Sequence, residues 1–452
     1  MDRFDFVVIG AGAAGEAAAF KARALGKTVA IIDRDLIGGS CSFWACIPSK
    51  SLLHSAAVHQ GGGDYPWPKA SDRRDYNINR IGIDYPDDAF HVKRLTDAGA
   101  EIVRGTARLD GPGKVVVRHD DVVHELIAEH VIVAVGSESR VPDLPGLHDI
   151  AFWTNKQGTS ARELPKSLLI LGGGPTGVEL AQVYARYGVP VTIVESNPRI
   201  LARDHPKNSE ILQRALERDG ATVHAGARAV AVHPNAGTNG AHQVELDDGI
   251  RVEGHEVMLA IGRTFPLEDI GLETVGVTVD RGRVSPDDRL RLGPNLWIAG
   301  DPAGPELHTH VAHYEGEMVV RMAIGDDVRP DFRAIPRATY TDPETASVGL
   351  QVEEAREAGI DAEEFFDDLA YSSKGYTAEA EGFVIVVVDR AAKTVVGTFL
   401  AGPGASEAIH EAVLAVKLAT PLAVLADTIH AYPTLARVLG GVFARAAQEL
   451  GD

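Results

Sequence analysis

Two glycine-rich stretches of the same pattern constrain the fold of this chain more than any other feature. The first, Gly10-Ala11-Gly12-Ala13-Ala14-Gly15, follows the apolar run Phe6 to Ile9 and precedes an alanine-rich helical segment and a second β-rich run that ends at Asp33. In such a βαβ unit the first glycine permits the tight turn, the second lets the backbone approach a pyrophosphate, and the third lets helix and strand pack closely. Phosphates favour the helix N-terminus, and Asp33 is placed to accept from ribose hydroxyls. The stretch therefore predicts a dinucleotide site.

The second stretch, Gly172-Gly173-Gly174-Pro175-Thr176-Gly177, stands in the same strand–helix–strand context and ends at Glu195. In both units the acid follows the first glycine by 23 residues. Two units predict two bound nucleotides. A carboxylate on the ribose bonds a 2′-hydroxyl and repels a 2′-phosphate, so Glu195 favours NAD(H) over NADP(H). Arg199 weakens that preference slightly, and we expect it to be a solvated loop charge.

The only two cysteines among the 452 residues, Cys41 and Cys46, lie just after the first glycine-rich unit with four residues between them. A secreted disulfide scaffold would be short and rich in cysteine, and a zinc site would need two further ligands at matching spacing. The pair is therefore interpreted as a redox-active dithiol beside a bound flavin. The alternative is two unrelated core thiols, because free cysteine is often buried as a small hydrophobe.

Three further apolar runs end at glycines. The runs ending at Gly136 and Gly262 each resemble the closing strand of a nucleotide domain, and Leu296 to Ala299 leads into Gly300 and Asp301, an acid suited to bonding the flavin's ribityl chain. The helix predicted from Thr309 to Met322 could direct backbone N–H groups at the flavin. Three histidines at the start of this helix could suggest a metal site, but the sequence offers no evident fourth ligand, so we expect no metal there. These histidines are His308, His310 and His313.

The overall charge is strongly acidic, with 44 Lys and Arg against 64 Asp and Glu for a net charge of -20. Nucleic acid and anionic membranes would be repelled by such a chain, so neither is an expected partner. No apolar run reaches the roughly 18 residues of a membrane helix, and the start at Met1 shows no signal peptide. We therefore expect a cytoplasmic protein. Residues 57–95 are polar and weakly periodic; no chemistry is assigned to them, and Tyr65 and Trp67 are expected to be packing residues.

These features predict an α/β fold with two Rossmann-like dinucleotide-binding domains and a C-terminal α+β module. The predicted ranges are 1–150 for the FAD-binding domain, 151–265 for the NAD(P)H-binding domain, 266–330 for a central segment that completes the FAD-binding domain, and 331–452 for the interface domain. The last module carries no nucleotide signature, and dimerisation is its expected role.

The motifs in this order resemble the flavoprotein disulfide reductases: dihydrolipoamide dehydrogenase, glutathione reductase, mycothione reductase and mercuric reductase. The signature G-G-x-C-x-x-x-x-C-x-P-[ST]-K of that family is matched from Gly38 to Lys50. The resemblance implies that Cys46 is the charge-transfer thiol against FAD and Cys41 the interchange thiol. It also implies that Lys50 lies near flavin N5 paired with Glu179, that Asp301 holds the flavin, and that the C-terminal domain of one subunit completes the active site of its homodimer partner.

One departure from the family concerns the catalytic base. Disulfide-reducing members carry His-Pro-Thr with a Glu three residues after the Thr, and the matching positions here are Tyr432 and Arg437. A phenol is neutral at pH 7 and donates a hydrogen bond but is a poor base. His430 could substitute only if the segment directs its ring into the site. Mercuric reductases also have a tyrosine at the position of Tyr432, yet they carry a second cysteine pair near the C-terminus that this chain lacks.

Three functions follow as hypotheses. The first is an FAD enzyme that takes hydride from NADH and passes two electrons through Cys41 and Cys46 to a small-molecule acceptor of the disulfide type. The second passes electrons from flavin or thiolate to a quinone, a metal ion or oxygen, with no acid/base residue. The third is a flavin-bearing subunit or redox sensor without turnover.

Pro175 is a further departure from the family, near the expected nicotinamide pocket. Phe43 and Trp44, between the cysteines, either narrow the substrate channel or pack against the dinucleotide domain.

Overall fold

The computed structural model describes residues 2–80 and 85–451. The strands in this part of the chain are β1 Asp2–Ile9, β2 Val29–Asp33, β3 Glu101–Arg104, β4 Thr106–Leu109, β5 Lys114–His119, β6 Val122–Val133, β7 Glu138–Ser139, β8 Leu168–Leu171, β9 Val191–Glu195, β10 Ala221–Ala225, β11 Ala229–His233, β12 His242–Leu246, β13 Arg251–Gly254, β14 Glu256–Leu259, β15 Arg263–Thr264, β16 Arg291–Gly293, β17 Leu296–Ile298, β18 Arg337–Thr339, β19 Thr345–Gly349, β20 Ala362–Asp368, β21 Phe383–Asp389 and β22 Thr394–Ala401. The helices are α1 Ala13–Ala24, α2 Gly39–Phe43, α3 Cys46–Gln60, α4 Trp67–Asn77, α5 Ala89–Asp97, α6 Asn155–Ser160, α7 Pro175–Arg186, α8 Pro206–Arg218, α9 Thr309–Ala323, α10 Val352–Glu357, α11 Ser373–Ala378, α12 Ala405–Leu418, α13 Leu422–Ala426 and α14 Leu435–Glu449.

The first sheet has the strand order β16-β17-β6-β1-β2-β3. In addition, β5 pairs with the first half of β6 on one side and with β4 on the other. Its central strands are parallel and buried on both faces, by α1 and α9 on one side and by β4, β5 and residues 265–298 on the other. Such strands are apolar on both faces, as is typical of buried parallel sheets. β17, late in the chain, pairs with β6 and so lies in the first sheet. Helix α9 packs directly on α1; a Cβ atom on Gly316 would overlap the carbonyl oxygen of Ala14.

The second sheet is a smaller parallel sheet in the order β10-β9-β8-β14, with α7 and α8 against it and the antiparallel sheet β11-β12-β13 beside it. Trp67 of α4 is buried in the same core, with its ring 5.4 Å from that of Tyr184 and 5.1 Å from that of Tyr187 between ring centroids. Trp67 is therefore a packing residue that joins the first nucleotide unit to the second.

The third sheet is antiparallel in the order β18-β19-β22-β21-β20, and α12 and α14 cover one of its faces. Its strand β21 begins at Phe383, and α12 ends at Leu418. The two Rossmann-like units and this α+β unit confirm the predicted fold class. The exact domain boundaries stay a prediction. None of the helices in the described ranges is both long and apolar enough to cross a membrane.

Candidate active site

The two glycine-rich turns have the same construction. Gly10 has φ +106° and Gly172 has φ +112°, and a Cβ atom on either would overlap a carbonyl oxygen of the strand-to-loop segment opposite, that of Ala134 or that of Ala260. A Cβ atom on Gly15 would overlap the carbonyl oxygen of Gly10, and one on Gly177 that of Gly172. Only glycine fits these four positions, so both turns close as the fingerprint requires.

The middle glycines differ from the others in having space above them. Gly12 and Gly174 are the N-cap residues of α1 and α7, and a Cβ atom on Gly174 would meet nothing within 4 Å. At Gly12 the nearest atom would be the Cα of Gly39 at 3.8 Å. Each helix thus begins at an open cradle of backbone N–H groups, which fits a pyrophosphate. Gly136 and Gly262, both at positive φ, likewise leave open space at the ends of β6 and β14.

Asp33 and Glu195 each accept a hydrogen bond from the backbone of the glycine-rich turn in their unit. The backbone N–H of Ala11 donates to Asp33 Oδ2 at 2.7 Å, and that of Gly173 donates to Glu195 Oε2 at 2.6 Å. Burial raises the pKa of Asp33, although the hydrogen bond from Ala11 opposes the shift. Arg199 is half-buried, whereas a solvated loop charge was expected: its Nη1 donates to the carbonyl of Leu201 at 3.0 Å and to Ser209 Oγ at 2.8 Å.

The two cysteines are thiols at the junction of α2 and α3. Cys46 is the first residue of α3, and its Sγ lies 3.4 Å from Oγ1 of Thr309, the first residue of α9. A hydrogen bond from Cys41, then one from Thr309, then the charge of Lys50 lower the pKa of Cys46 to about 6 against the opposing effect of burial. The hydrogen bond that Cys41 makes to Cys46, together with burial, raises the pKa of Cys41. These contacts favour the thiolate at Cys46 over a thiolate at Cys41.

Lys50 and Glu179 form an ion pair between the two nucleotide units. The Nζ of Lys50 lies 2.8 Å from Oε2 and 3.0 Å from Oε1 of Glu179, whose side chain is only 5% exposed. Burial opposes the ammonium form, but the Glu179 carboxylate outweighs it and the pKa of Lys50 is raised. The backbone N–H of Tyr340 donates to Glu179 Oε1 at 3.1 Å, and the Tyr340 ring lies under the Lys50 ammonium at 4.7 Å.

Asp301 follows β17, as predicted, and lies beside Ser137 and Arg263 from the loops that follow β6 and β14. Ser137 Oγ donates to Asp301 Oδ2, and Arg263 Nε lies 3.8 Å from the same oxygen. On α9 the fully buried Glu315 accepts from the N–H of Gly300 at 2.7 Å, and burial raises its pKa to about 8. Asp301 therefore presents one carboxylate at the end of a parallel strand, where such folds bind their ligands.

Tyr432 and His430 occupy a different part of the chain from the dithiol. Tyr432 is 71% exposed and its hydroxyl bonds the hydroxyl of Ser373. His430 is almost enclosed: its Nε2 lies 2.7 Å from Glu411 Oε1, and its ring packs on Gly440. The structure thus brings together Cys41, Cys46, Thr309, Lys50 and Glu179, while Tyr432 and His430 bond within the third unit.

The histidines at the start of α9 are held by protein groups. His308 bonds Glu306 at 3.1 Å, and His310 bonds the carbonyl of Pro336 at 2.9 Å. Within residues 2–80 and 85–451, no group of three or more His, Cys, Asp or Glu side chains is arranged to hold a metal ion. Phe43 and Trp44, between the cysteines, are buried and so are packing residues.

Sequence reasoning missed three residues of this site. Tyr340 precedes the Thr341-Asp342-Pro343-Glu344 turn, and its approach to Glu179 is a contact between distant segments. Arg263 directly follows Gly262. Its position just after the closing strand is the sequence feature that could have identified it as a site residue. Glu315, three residues after Ala312 on the inner face of α9, would have been found by asking which helix positions face the sheet.

A fold with two dinucleotide cradles, joined by a dithiol and an ion pair, defines a two-nucleotide oxidoreductase. The chain belongs to the pyridine nucleotide-disulphide oxidoreductase family: the model of that name matches residues 4–316, and the model of the family's dimerisation domain matches residues 335–441. The family binds FAD and a pyridine nucleotide, and it carries a redox-active disulfide. The predicted resemblance is confirmed.

Several relatives match over nearly the whole chain. The chain is 34% identical to the dihydrolipoyl dehydrogenase of Chlorobaculum tepidum, covering 99% of this chain and 98% of that one, and 32% identical to the mercuric reductase of Streptomyces lividans, covering 96% and 94%. The crystal structure of LpdA from Mycobacterium tuberculosis superposes with a TM-score of 0.88 at 26% identity over 98% and 99% of the two chains. A Cu(II) complex of the flavoprotein disulfide reductase RclA from Escherichia coli shares the fold, with a TM-score of 0.88 at 23% identity over 98% and 100%.

Proposed function

We propose that this chain is an FAD-dependent oxidoreductase that passes two electrons from NADH through the Cys41/Cys46 pair to a small-molecule disulfide. The observation that carries the proposal is the placement of the pair between the two cradles: Cys46 begins α3 with its Sγ 3.4 Å from Thr309 Oγ1, and Lys50, one turn further along α3, is paired with Glu179 of α7. The surroundings lower the pKa of Cys46, which is consistent with this placement. When bound, FAD supplies hydride acceptance from the nicotinamide and electron transfer to the sulfur pair. Two electrons and one proton convert the Cys41–Cys46 disulfide into a Cys41 thiol and a Cys46 thiolate.

The residues around the pair determine where the charge and the proton reside. The positive end of α3 and the Thr309 hydroxyl stabilise the Cys46 thiolate, and the nearby Lys50 ammonium adds to this. Glu179 keeps Lys50 charged and fixed in position. Asp301 is proposed to hold the flavin and Asp33 its adenosine ribose, with the cradle from Gly10 to Gly15 around the pyrophosphate.

The second cradle is proposed to bind NAD(H) in preference to NADP(H). Glu195 ends β9 as an acceptor beside the turn, where a 2′-phosphate would be repelled. Arg199 donates to Leu201 and Ser209, so its Nη1 is already engaged within the loop.

A disulfide acceptor requires Cys41 to lose its proton before it attacks. Because the pKa of Cys41 is raised, this step needs a base. The family's dimerisation domain is present in this chain and suggests a homodimer. We infer that Tyr432, exposed on that domain, faces the partner's dithiol, where a phenol donates but does not remove a proton. His430 as the base stays a prediction, and its bond to Glu411 and its burial oppose it.

The same observations favour a second candidate, in which electrons leave for a quinone or a metal ion without attack by Cys41. Support comes from Tyr432 and Arg437 in place of the His and Glu and from the similarity to a mercuric reductase. A non-catalytic redox sensor would lack turnover altogether.

The test is NADH-dependent reduction of lipoamide, glutathione, mycothiol and bis-coenzyme-A disulfides, quinones and mercuric ion, in wild type and in Cys41→Ser. A disulfide that is turned over by wild type and not by Cys41→Ser supports the first function. Quinone turnover that survives Cys41→Ser, with no disulfide reduced by wild type, contradicts it and supports the second. No turnover with any acceptor supports the sensor.

A further inference from the structure

The turn that carries Tyr340 is fixed to α7 by contacts that do not involve the Tyr340 side chain. The backbone N–H of Tyr340 donates to Glu179, and Asp342 and Gln182 exchange two hydrogen bonds of 2.7 and 2.8 Å. Arg186 Nη2 lies 2.9 Å from Asp342 Oδ2. Glu179, Gln182 and Arg186 lie on one face of the helix. The backbone of the third unit is thus positioned on the second nucleotide unit whatever side chain stands at 340.

The Tyr340 ring forms the outer surface of the Lys50–Glu179 pair. The ring centroid is 4.7 Å from Lys50 Nζ, a cation–π distance. Glu179 is 5% exposed at its side chain, whereas Tyr340 is 42% exposed. Burial of part of the ring raises the pKa of the Tyr340 phenol, so it is neutral across the working range.

This exposed ring lies next to the start of the second cradle. Glu179 is in the second turn of α7, and Gly174 caps the same helix where the cradle is open. A dinucleotide held at Gly174 must extend past the Lys50–Glu179 pair to reach the first nucleotide site. Pro175, the first residue of α7, offers no aromatic face there.

We propose that Tyr340 is a positioning residue of the nicotinamide half of the site, a role that rests on the proposed function. Its ring keeps the Lys50 ammonium in place and forms an aromatic wall against the nicotinamide mononucleotide moiety. The interface domain thereby contributes directly to nucleotide binding within its own subunit.

The test compares FAD-loaded Tyr340→Leu and Tyr340→Phe with wild type. Leucine keeps apolar bulk and the backbone N–H but removes the ring, whereas phenylalanine keeps the ring and loses only the hydroxyl. The matched control is Tyr76→Leu, which removes a ring that is 82% exposed on α4. Two readouts are taken: the dissociation constant of NAD⁺ from the oxidised protein, and the apparent dissociation constant and limiting rate of single-turnover flavin reduction by NADH, without any acceptor.

An aromatic contact is worth up to about tenfold in affinity. Tyr340→Leu should weaken NAD⁺ and NADH binding by about five- to tenfold and lower the limiting rate. Tyr340→Phe and Tyr76→Leu should stay within about twofold of wild type. If Tyr340→Leu loses FAD, Tyr340→Met carries the same expectation. Ring-free variants that bind both nucleotides as tightly as wild type overturn the proposal. Failure of wild type itself to be reduced by NADH would instead refute the proposed function, so the two failures are distinguishable.

Discussion

The Cys41 side chain is the largest influence that lowers the pKa of Cys46, and variants with one cysteine can measure this dependence. A hydrogen bond to a charged acceptor contributes about 1.5–3 kcal/mol. This corresponds to about 1–2 pKa units. Cys41→Ser retains a hydroxyl donor and Cys41→Ala retains none. The surroundings lower the pKa of Cys46 to about 6, so we expect a midpoint near pH 6 in Cys41→Ser and between about 7 and 8 in Cys41→Ala.

The assay is the long-wavelength absorbance that a thiolate produces beside oxidised flavin, recorded in the FAD-loaded variants from acidic to alkaline pH. Because the pKa of Cys46 is lowered, the band is present above the midpoint and is lost as the pH falls through it. At pH 7 a thiol with a pKa of about 6 is about 90% ionised, whereas one with a pKa of about 7.5 is about 25% ionised. The band of Cys41→Ala at pH 7 should therefore be slightly more than a quarter of that of Cys41→Ser.

Thr309→Val in the Cys41→Ser background is the matched control, since it removes the hydroxyl 3.4 Å from Cys46 and should raise the midpoint by less than Cys41→Ala does. Equal midpoints in Cys41→Ser and Cys41→Ala would refute the assignment of the shift to the residue at 41. Midpoints near that of an ordinary thiol in both would refute a stabilised thiolate altogether.

Three further predictions concern the base, the nucleotide and a buried acid. A positioned base contributes about 10² to 10⁴ in rate, so Tyr432→His with Arg437→Glu should raise dihydrolipoamide-dependent NAD⁺ reduction by about tenfold or more; no gain would show that the missing base does not limit that reaction. Glu195→Ala should lower the kcat/KM ratio for NADH over NADPH by about tenfold, because the carboxylate no longer repels a 2′-phosphate; an unchanged ratio would place the ribose elsewhere. Glu315 has a pKa raised to about 8 from 4.5, so its contribution to stability is full below about pH 4.5 and is lost as the pH rises to about 8, by up to about 5 kcal/mol. The melting temperature of Glu315→Gln should fall less than that of wild type between pH 5 and 8.5, and parallel melting curves would contradict the raised pKa.

The sequence predicted those parts of the site that are built from local chain. Gly10 and Gly172 turn where the fingerprint places them because a side chain there would collide with a neighbouring strand end. Asp33 and Glu195 reach back to the turn because each ends the second strand of its βαβ unit. Such features depend on a short window and on steric rules that leave few alternatives.

Contacts between distant segments could not be predicted in the same way. Tyr340 lies 161 residues from Glu179 along the chain, and nothing in the local pattern of its turn says which helix it meets. Arg199 lies in a loop, where the sequence predicts a solvated charge. The fold nevertheless places the Leu201 carbonyl and Ser209 Oγ where they accept hydrogen bonds from Arg199 Nη1. Within residues 57–95 the periodicity is weak because the buried face of α4 carries the polar residues Ser71, Arg74 and Asp75 beside Trp67.

The surroundings of Tyr432 are a further part of the site that the sequence could not predict. The chain presents this residue on its surface, with its hydroxyl on Ser373, and its approach to a dithiol belongs to the proposed homodimer. The family resemblance supplied the position and the departure from His, whereas the bond between His430 and Glu411 was visible only once the fold placed α12 beside that segment.

Anaerobic titration of the FAD-loaded protein with NADH tests the central claim most directly, namely that the Cys46 sulfur stands against the flavin and shares its electrons. The claim predicts uptake of two electrons with growth of a long-wavelength thiolate-to-flavin band in wild type, and no such band in Cys46→Ser. A band of the same intensity in Cys46→Ser, or two-electron reduction of wild type without any band, would contradict it.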